Sequence, residues 1–401
     1  MKILHPALFV SIAVLTFAVS AAEPPVPVFR AVDVDTKVGI GYGVTVADIN
    51  GDRKPDIVLV DKDVVAWYQN PTWEKHIIAE KLTEKDHVCI AAADIDGDGK
   101  AEIAVGAQWN PGDTVNSGAV FYLIPPADRT QKWEPVKLTN EPTVHRMRWV
   151  KNRDGKFALV VLPLHGRGNK DGHGAGVKAL AYHMPADPRQ PWATEVIDDT
   201  LHITHNFQPV KWERQPGDEL LVASKEGVFH LLPEKAHWKR VQLTGNVTGE
   251  TNNPGAGEVR AGKLQGGTRF LATIEPWHGN SVVTYTAGKN SHDLWQRHVI
   301  DETVVDGHAV ACGDLLGTGS DQLVVGWRAM NRPGTKVGIR LYTPLDREGH
   351  NWRATVVDDN QMACEDLCLA DLNGDGRLDI VAAGRATKNL KIYFNESAAV
   401  H

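Results

Sequence analysis

A chain of 401 residues with 42% apolar side chains has material for a large core, which excludes a disordered polypeptide and points to several domains or one repeat-built body. Its 43 basic and 50 acidic side chains leave a net charge of −7 with no basic block, so no nucleic acid partner and no anionic membrane partner is expected. Four cysteines are too few for a disulfide framework, while 37 Gly, 22 Pro and 12 Trp suit a chain rich in turns and strands.

The N-terminus reads as an address. Met1 and Lys2 form a short positive region, and Ile3 to Val19 is apolar apart from His5, Pro6 and small hydroxyls. Ser20-Ala21-Ala22 then places small residues before Glu23. This pattern predicts a secretory signal peptide over residues 1–22, in preference to an uncleaved anchor of similar length. The mature chain, 23–401, is expected in a periplasm or outside the cell, with no membrane association after cleavage.

Beyond it the chain repeats. Asp48–Val58, Asp94–Ala104, Asp314–Val324 and Asp371–Val381 each combine an acidic Gly turn with an apolar strand on either side. Degenerate copies at Trp149–Val161, Trp212–Ala223 and Gly262–Ile274 bring the number to seven. A second periodicity agrees: Trp73, Trp133, Trp192, Trp238, Trp295 and Trp352 open similar strings 46 to 60 residues apart. Within each period four short strands are predicted, A before the acidic turn, then B and C, with D opening at the tryptophan. Four strands at this period describe a propeller blade. The seventh repeat ends after strand C, and Val28–Val34 supplies the missing D strand. Pairing the two termini closes the ring and removes open sheet edges. The expected fold is a single all-β, seven-bladed β-propeller over 23–401, with four-stranded antiparallel blades and the N-terminal strand in the last blade.

The acidic turns suit a hard cation. Asp48, Asn50, Asp52 and Asp56, then Asp94, Asp96, Asp98 and Glu102, and finally Asp371, Asn373, Asp375 and Asp379 occupy positions 1, 3, 5 and 9 of their loops. Alternate oxygen-bearing side chains in a tight turn favour Ca²⁺. The flanking helices and position-12 Glu of an EF-hand are missing, and Asp314 is followed by Leu316 and Thr318 in place of ligands. The role expected for these turns is stability.

Strand A is innermost in a blade, so its start and the end of strand B share the opposite face. Reading the starts of A gives His87, His145, His205, Glu258, His308 and Glu365. The ends of B add His165 and Arg167, Glu275, Trp277 and His278, Trp327 and Arg328, and Arg385. A single histidine at such a place is ordinarily a packing residue; so many at equivalent edges point to a functional mouth. Neutral imidazoles near carboxylates can hold a divalent transition metal or act as a general base. No Gly-x-Ser-x-Gly elbow, Walker loop or His-Glu-x-x-His motif is present.

The repeats resemble the FG-GAP/VCBS propeller family, which implies the fold and calcium in the A–B turns. It leaves function open, because such propellers include both binding modules and enzymes. The strings Pro163–Gly168, His202–Phe207, Glu275–Asn280, Gly307–Ala309 and Gly326–Arg328 are similar to the propeller domain of aldos-2-ulose dehydratases, lyases that remove water from keto-sugars. The fungal enzymes add cupin domains that these 401 residues do not contain, so an isomerase activity residing in a cupin does not transfer. The resemblance implies β-elimination on a keto-sugar, or on a keto-glycoside that loses its aglycone. His145, His165, His205, His278 and His308 would form the base and metal-ligand pool, assisted by Glu258 and Glu365. A second acid would protonate the leaving oxygen. Arg167, Arg328, Arg385 and His87 would hold substrate oxygens, with Trp277 and Trp327 lining the pocket. The competing expectation is a non-catalytic propeller that binds a glycan or protein through the same mouth. Cys89, Cys312, Cys364 and Cys368 fall on inner strands and are read as small packing residues.

Overall fold

Seven four-stranded antiparallel sheets account for the twenty-eight strands of the described residues, and no helix occurs among them. The structure is a computed structural model that describes residues 23–235, 237–245, 255–290, 292–330 and 333–398. The expected signal segment, 1–22, lies outside the described residues. In six blades the four strands follow chain order, and the seventh is closed by the N-terminal strand Phe29–Asp35. That strand pairs antiparallel with Asn389–Asn395, with Phe29 opposite Asn395 and Ala31 opposite Tyr393. The fold is therefore the seven-bladed propeller expected, its closing strand displaced by one residue.

Apolar alternation explains how the blades stand together. Each sheet presents buried side chains on both faces, so the core is divided into wedges between neighbouring blades. One wedge joins Val160 and Leu162 to Phe207 and Val222; another joins Val324 and Leu341 to Leu367 and Ile380. Close approach near the hub requires small residues. A Cβ on Gly106 would collide with Cys89 Sγ, and one on Gly326 with Cys364 Sγ. All four cysteines are free, in keeping with a packing role.

The recurring tryptophans fasten the C–D turns. Trp133 Nε1 donates to Arg129 O at 3.3 Å, Trp192 Nε1 to Pro188 O at 2.9 Å and Trp352 Nε1 to Gly349 O at 2.8 Å. Each indole closes the three- or four-residue turn before its own D strand, while its rings bury apolar area. The wedges consume the apolar surface and leave the hub to the polar ends of the inner strands.

Candidate functional site: the histidine mouth

Four of the seven inner strands share a defect at one place. In Val144–Lys151, Val144 pairs with Pro163 and Arg146 with Leu162, leaving His145 as an extra residue. The same bulge leaves His308 between Gly307 and Ala309, and Glu365 between Cys364 and Asp366. In Thr204–Val210 it falls across His205 and Asn206. A bulge re-aims the side chain it carries. Here it turns three imidazoles and a carboxylate into the mouth of the ring. His278 and Trp277 arrive from the loop after strand B of the fifth blade, where Trp277 has a left-handed backbone, φ 53°.

The three bulged histidines are held by one device. His145 Nδ1 donates to His205 O at 2.9 Å, His205 Nδ1 to Gly257 O at 2.6 Å and His308 Nδ1 to Glu365 O at 2.5 Å. Each acceptor is a backbone carbonyl of the next blade, which can only accept, so each ring is fixed as the Nδ1–H tautomer. The Nε2 lone pairs are left for the cavity, the arrangement that orients metal-ligating histidines. Burial holds all three well below the ordinary histidine value, and the charge of Arg146 or Arg328 acts in the same direction. His278 is likewise pushed down by burial and by its neighbour His205. The four rings are therefore neutral near pH 7.

Ring nitrogens of His205, His278 and His308 lie within 4.8 Å of one another. His278 Nε2 sits 2.6 Å from His205 Nε2, and Arg328 Nη2 donates to His278 Nδ1 at 3.3 Å. With Arg328 donating to its Nδ1, neutral His278 carries its proton on Nε2 and donates it to the His205 Nε2 lone pair. His205 and His308, with tautomers fixed, and His278, once the proton it shares with His205 is displaced, form a convergent set of neutral imidazoles that fits a divalent transition metal.

Charged groups complete the wall. Glu365, 3% exposed, accepts from Arg328 Nη1 at 2.5 Å and from Arg385 Nη1 at 2.9 Å. Burial opposes the Arg328 charge, but Glu365 and Asp306 outweigh it and raise the guanidinium above its usual value. The cavity measures about 240 Å³, and every blade contributes to it.

Residues 117–288 match the family described as aldos-2-ulose dehydratase, beta-propeller domain. Residues 48–105 match an FG-GAP-like repeat and residues 90–123 an FG-GAP repeat. The chain is thus a seven-bladed propeller that carries FG-GAP-like repeats in its first blades and is similar over residues 117–288 to the dehydratase propeller domain. The dehydratase-propeller match spans His145, His205, Glu258, Trp277 and His278, while His308, Arg328, Glu365 and Arg385 follow it in the chain. Comparison with curated proteins found no match. Among solved structures, this propeller shares its fold with a chain of "Crystal Structure of Mitotic Checkpoint Complex", at 13% identity and TM-score 0.55, covering 96% of this chain and 99% of that one. It is similar in fold to a chain of "Crystal structure of BBS1N in complex with ARL6DN, soaked with lead", at 13% identity and TM-score 0.55, covering 94% and 100%. "Structure of U3-55K" gives 12% identity and TM-score 0.52, covering 90% and 98%.

Not every expected residue reaches the mouth. The cavity brings together His145, His205, Trp277, His278, His308, Arg328, Glu365 and Arg385. Glu258 stands behind it, 1% exposed, with Oε1 3.1 Å from His205 Nδ1 and Oε2 accepting from Asn206 Nδ2 at 2.7 Å. Four others point elsewhere. The second blade has no bulge at its inner strand, so Val88 faces the cavity and His87 faces away, where its Nε2 accepts from Leu82 N at 3.1 Å. Leu164 takes the cavity side beside His165, and Arg328 takes it beside Trp327. Trp327 is instead packed in the wedge, with Nε1 donating to Lys336 O at 2.7 Å. Arg167 is exposed and paired with Glu141.

Two residues escape a reading of equivalent positions. Trp109 stacks on His145 with centroids 4.9 Å apart. Arg146 is 5% exposed and lines the cavity, with Nη1 donating to His145 Nε2 at 3.0 Å and a buried Nη2 that has no partner. Strict alternation would send Arg146 away from the face His145 occupies, and the bulge removes that restriction.

On the far face the position-9 acids turn inward. Asp56 accepts from Ile49 N and Asn70 N, and Asp379 from Leu372 N and Asn395 N. Burial pushes Asp56 up to about 6 and Glu102 to about 7. In the second turn Asp94, Asp96 and Glu102 offer oxygens within 4.8 Å of one another.

Proposed function

We propose that this propeller is a carbon–oxygen lyase that eliminates water or an aglycone from a keto-sugar or keto-glycoside at the histidine mouth. The carrying observation is the set of buried neutral imidazoles whose tautomers are fixed by carbonyls of neighbouring blades. Packing alone needs neither the bulges nor the aligned lone pairs. The match to a dehydratase propeller supports the same reading.

His205, His278 and His308 would hold a divalent transition metal. Such an ion, when bound, supplies Lewis acidity toward a ketone oxygen. The remaining steps belong to side chains. His145 offers Nε2 as the base that removes the proton next to the ketone, once Arg146 Nη1 gives up that nitrogen to the substrate. The C–H electron pair passes into the enolate, whose oxygen faces the unpartnered Nη2 of Arg146. As the enolate collapses, the new C=C bond forms and the β C–O bond breaks. The protonated His145 then returns its proton to the departing oxygen. The products are an enone and water or a free aglycone, and the site regains its starting charge. Glu258 positions His205, Glu365 positions the two arginines, and Trp277 gives the sugar an apolar wall.

The acidic turns are read as structural Ca²⁺ sites, the second turn being the best assembled. Residues 1–22 are read as an export signal, placing the protein in a periplasm or outside the cell.

Elemental analysis of the purified protein, followed by enone absorbance on adding a keto-sugar or a 3-keto-glycoside, tests the lyase reading. Stoichiometric transition metal and turnover are expected, with turnover falling at least about 100-fold in His205→Ala. A protein without metal or turnover, whose sugar binding survives His205→Ala, would instead be the non-catalytic binding propeller.

A further inference from the structure

Behind the histidine ring the hub opens into a second cavity of about 340 Å³, which runs along the inner strands toward the far face. We propose that this channel binds a small oxyanion, a carboxylate or phosphate group, between Arg146, Arg148 and Arg260. The site shares Arg146 with the proposed elimination, while Arg148 and Arg260 take no part in that chemistry.

Arg146 and Arg148 are two residues apart on the inner strand of the third blade, and Arg260 projects from the fifth. All three line the channel. Their charges lack adequate counterparts. Arg146 Nη2 is buried without a partner. Arg148 Nη1 donates to Met147 O and Arg260 Nη1 to Val259 O, each at 2.7 Å, and neither carbonyl carries a formal charge. Among the described residues the one carboxylate within 4.0 Å of any of the three is Glu258, 3.7 Å from Arg260 Nη1. Its oxygens are already engaged by Asn206 and His205. Asp366, the acid on the channel wall, accepts from Val44 N and Leu367 N and forms no ion pair with the three arginines. Burial pushes Arg148 down to about 10, the nearby Arg260 charge acts in the same direction, and the Asp366 carboxylate offsets them only in part.

Crowded guanidinium groups in a low-dielectric channel repel one another and pay for incomplete hydration. An oxyanion relieves both effects, because planar N–H forks match carboxylate and phosphate geometry. The volume accommodates the anion with waters or with a small organic body. Arg146 also lines the histidine cavity, so a ligand held here would abut that site.

Calorimetric titration of the mature protein with inorganic phosphate and with D-glucuronate, at constant ionic strength and with D-glucose as the neutral control, decides the matter. Saturable binding of at least one anion is expected, none of glucose, and whichever anion binds identifies the source of the charge. Arg148→Met and Arg260→Met should each weaken it at least about tenfold. Both should raise the thermal midpoint without anion, since repulsion is removed. A second readout needs no variant: the bound anion slows phenylglyoxal labelling of these arginines in the wild type. No saturable heat from either anion, affinity unchanged in the folded variants, or labelling indifferent to anion would each overturn the site.

Discussion

At the far face Asp48, Asp94 and Asp371 accept hydrogen bonds from backbone amides three and five residues along, so the first carboxylate of each acidic turn is satisfied within that turn. At the near mouth the ring protons of His145, His205 and His308 reach carbonyls 60, 52 and 57 residues away. The ring of inner strands thus carries local motifs on one face and, on the other, a site assembled only by bringing blades together. A change at the far face should remain in its own turn. A change at the mouth should be felt by several blades.

The largest stability effect is expected at Glu365. Its carboxylate neutralises Arg328 and Arg385 at 3% exposure, and the Arg328 side chain is itself 13% exposed. Glu365→Gln keeps the shape and removes the charge, leaving Arg328 with Asp306 as its remaining carboxylate. The loss should reach about 3 kcal/mol in urea unfolding. Most of it comes from Arg328, because the Arg385 side chain is 41% exposed and can turn to water. A loss under about 1 kcal/mol would mean that the mouth behaves as ordinary surface, and the contrast with the far face would fail.

His87 sharpens the comparison, because it sits at the mouth's register without belonging to it. Burial holds its pKa below 6.5. The unfolded chain therefore binds a proton near pH 6.5 while the folded one does not. Stability present above that pH is lost as the pH falls from 6.5 toward the lower folded value. The contribution to the slope is about 1.4 kcal/mol per pH unit. His87→Gln keeps an acceptor for Leu82 N and should flatten the acid limb of the stability profile by that amount, with turnover unchanged. Lost turnover would put His87 back in the site.

These contrasts explain what the sequence could reveal. Blades, ring closure and acidic turns repeat with short spacing, and tryptophans mark the D strands, so the architecture is legible from periodicity. The mouth is legible as far as one register position per blade, which recovers His145, His205, His308 and Glu365. It fails at His87 because the second blade lacks the bulge, and at His165 and Trp327 because the neighbouring residue takes the cavity side. Arg146 escapes for the converse reason, since a bulge lets successive residues share one face. Pairing register decides each case, and pairing involves residues distant from the motif.

The smallest effect belongs to the far face. Asp94 is exposed, and its carboxylate accepts from Gly97 N at 2.7 Å and Gly99 N at 3.0 Å within one turn. Asn at this position keeps one carbonyl acceptor, so Asp94→Asn without calcium should cost no more than about 1 kcal/mol. With calcium the two proteins should separate. Ligand bound to the folded state alone stabilises by RT ln(1 + [L]/Kd), a gain that persists only while the site keeps its charge. The wild type should therefore gain thermal stability on calcium addition and return to baseline with chelator, while the variant responds little. Activity at the mouth should be indifferent to both treatments, because no hydrogen bond of the turn reaches the histidines. Calcium-dependent turnover would show instead that the two ends of the inner strands are coupled.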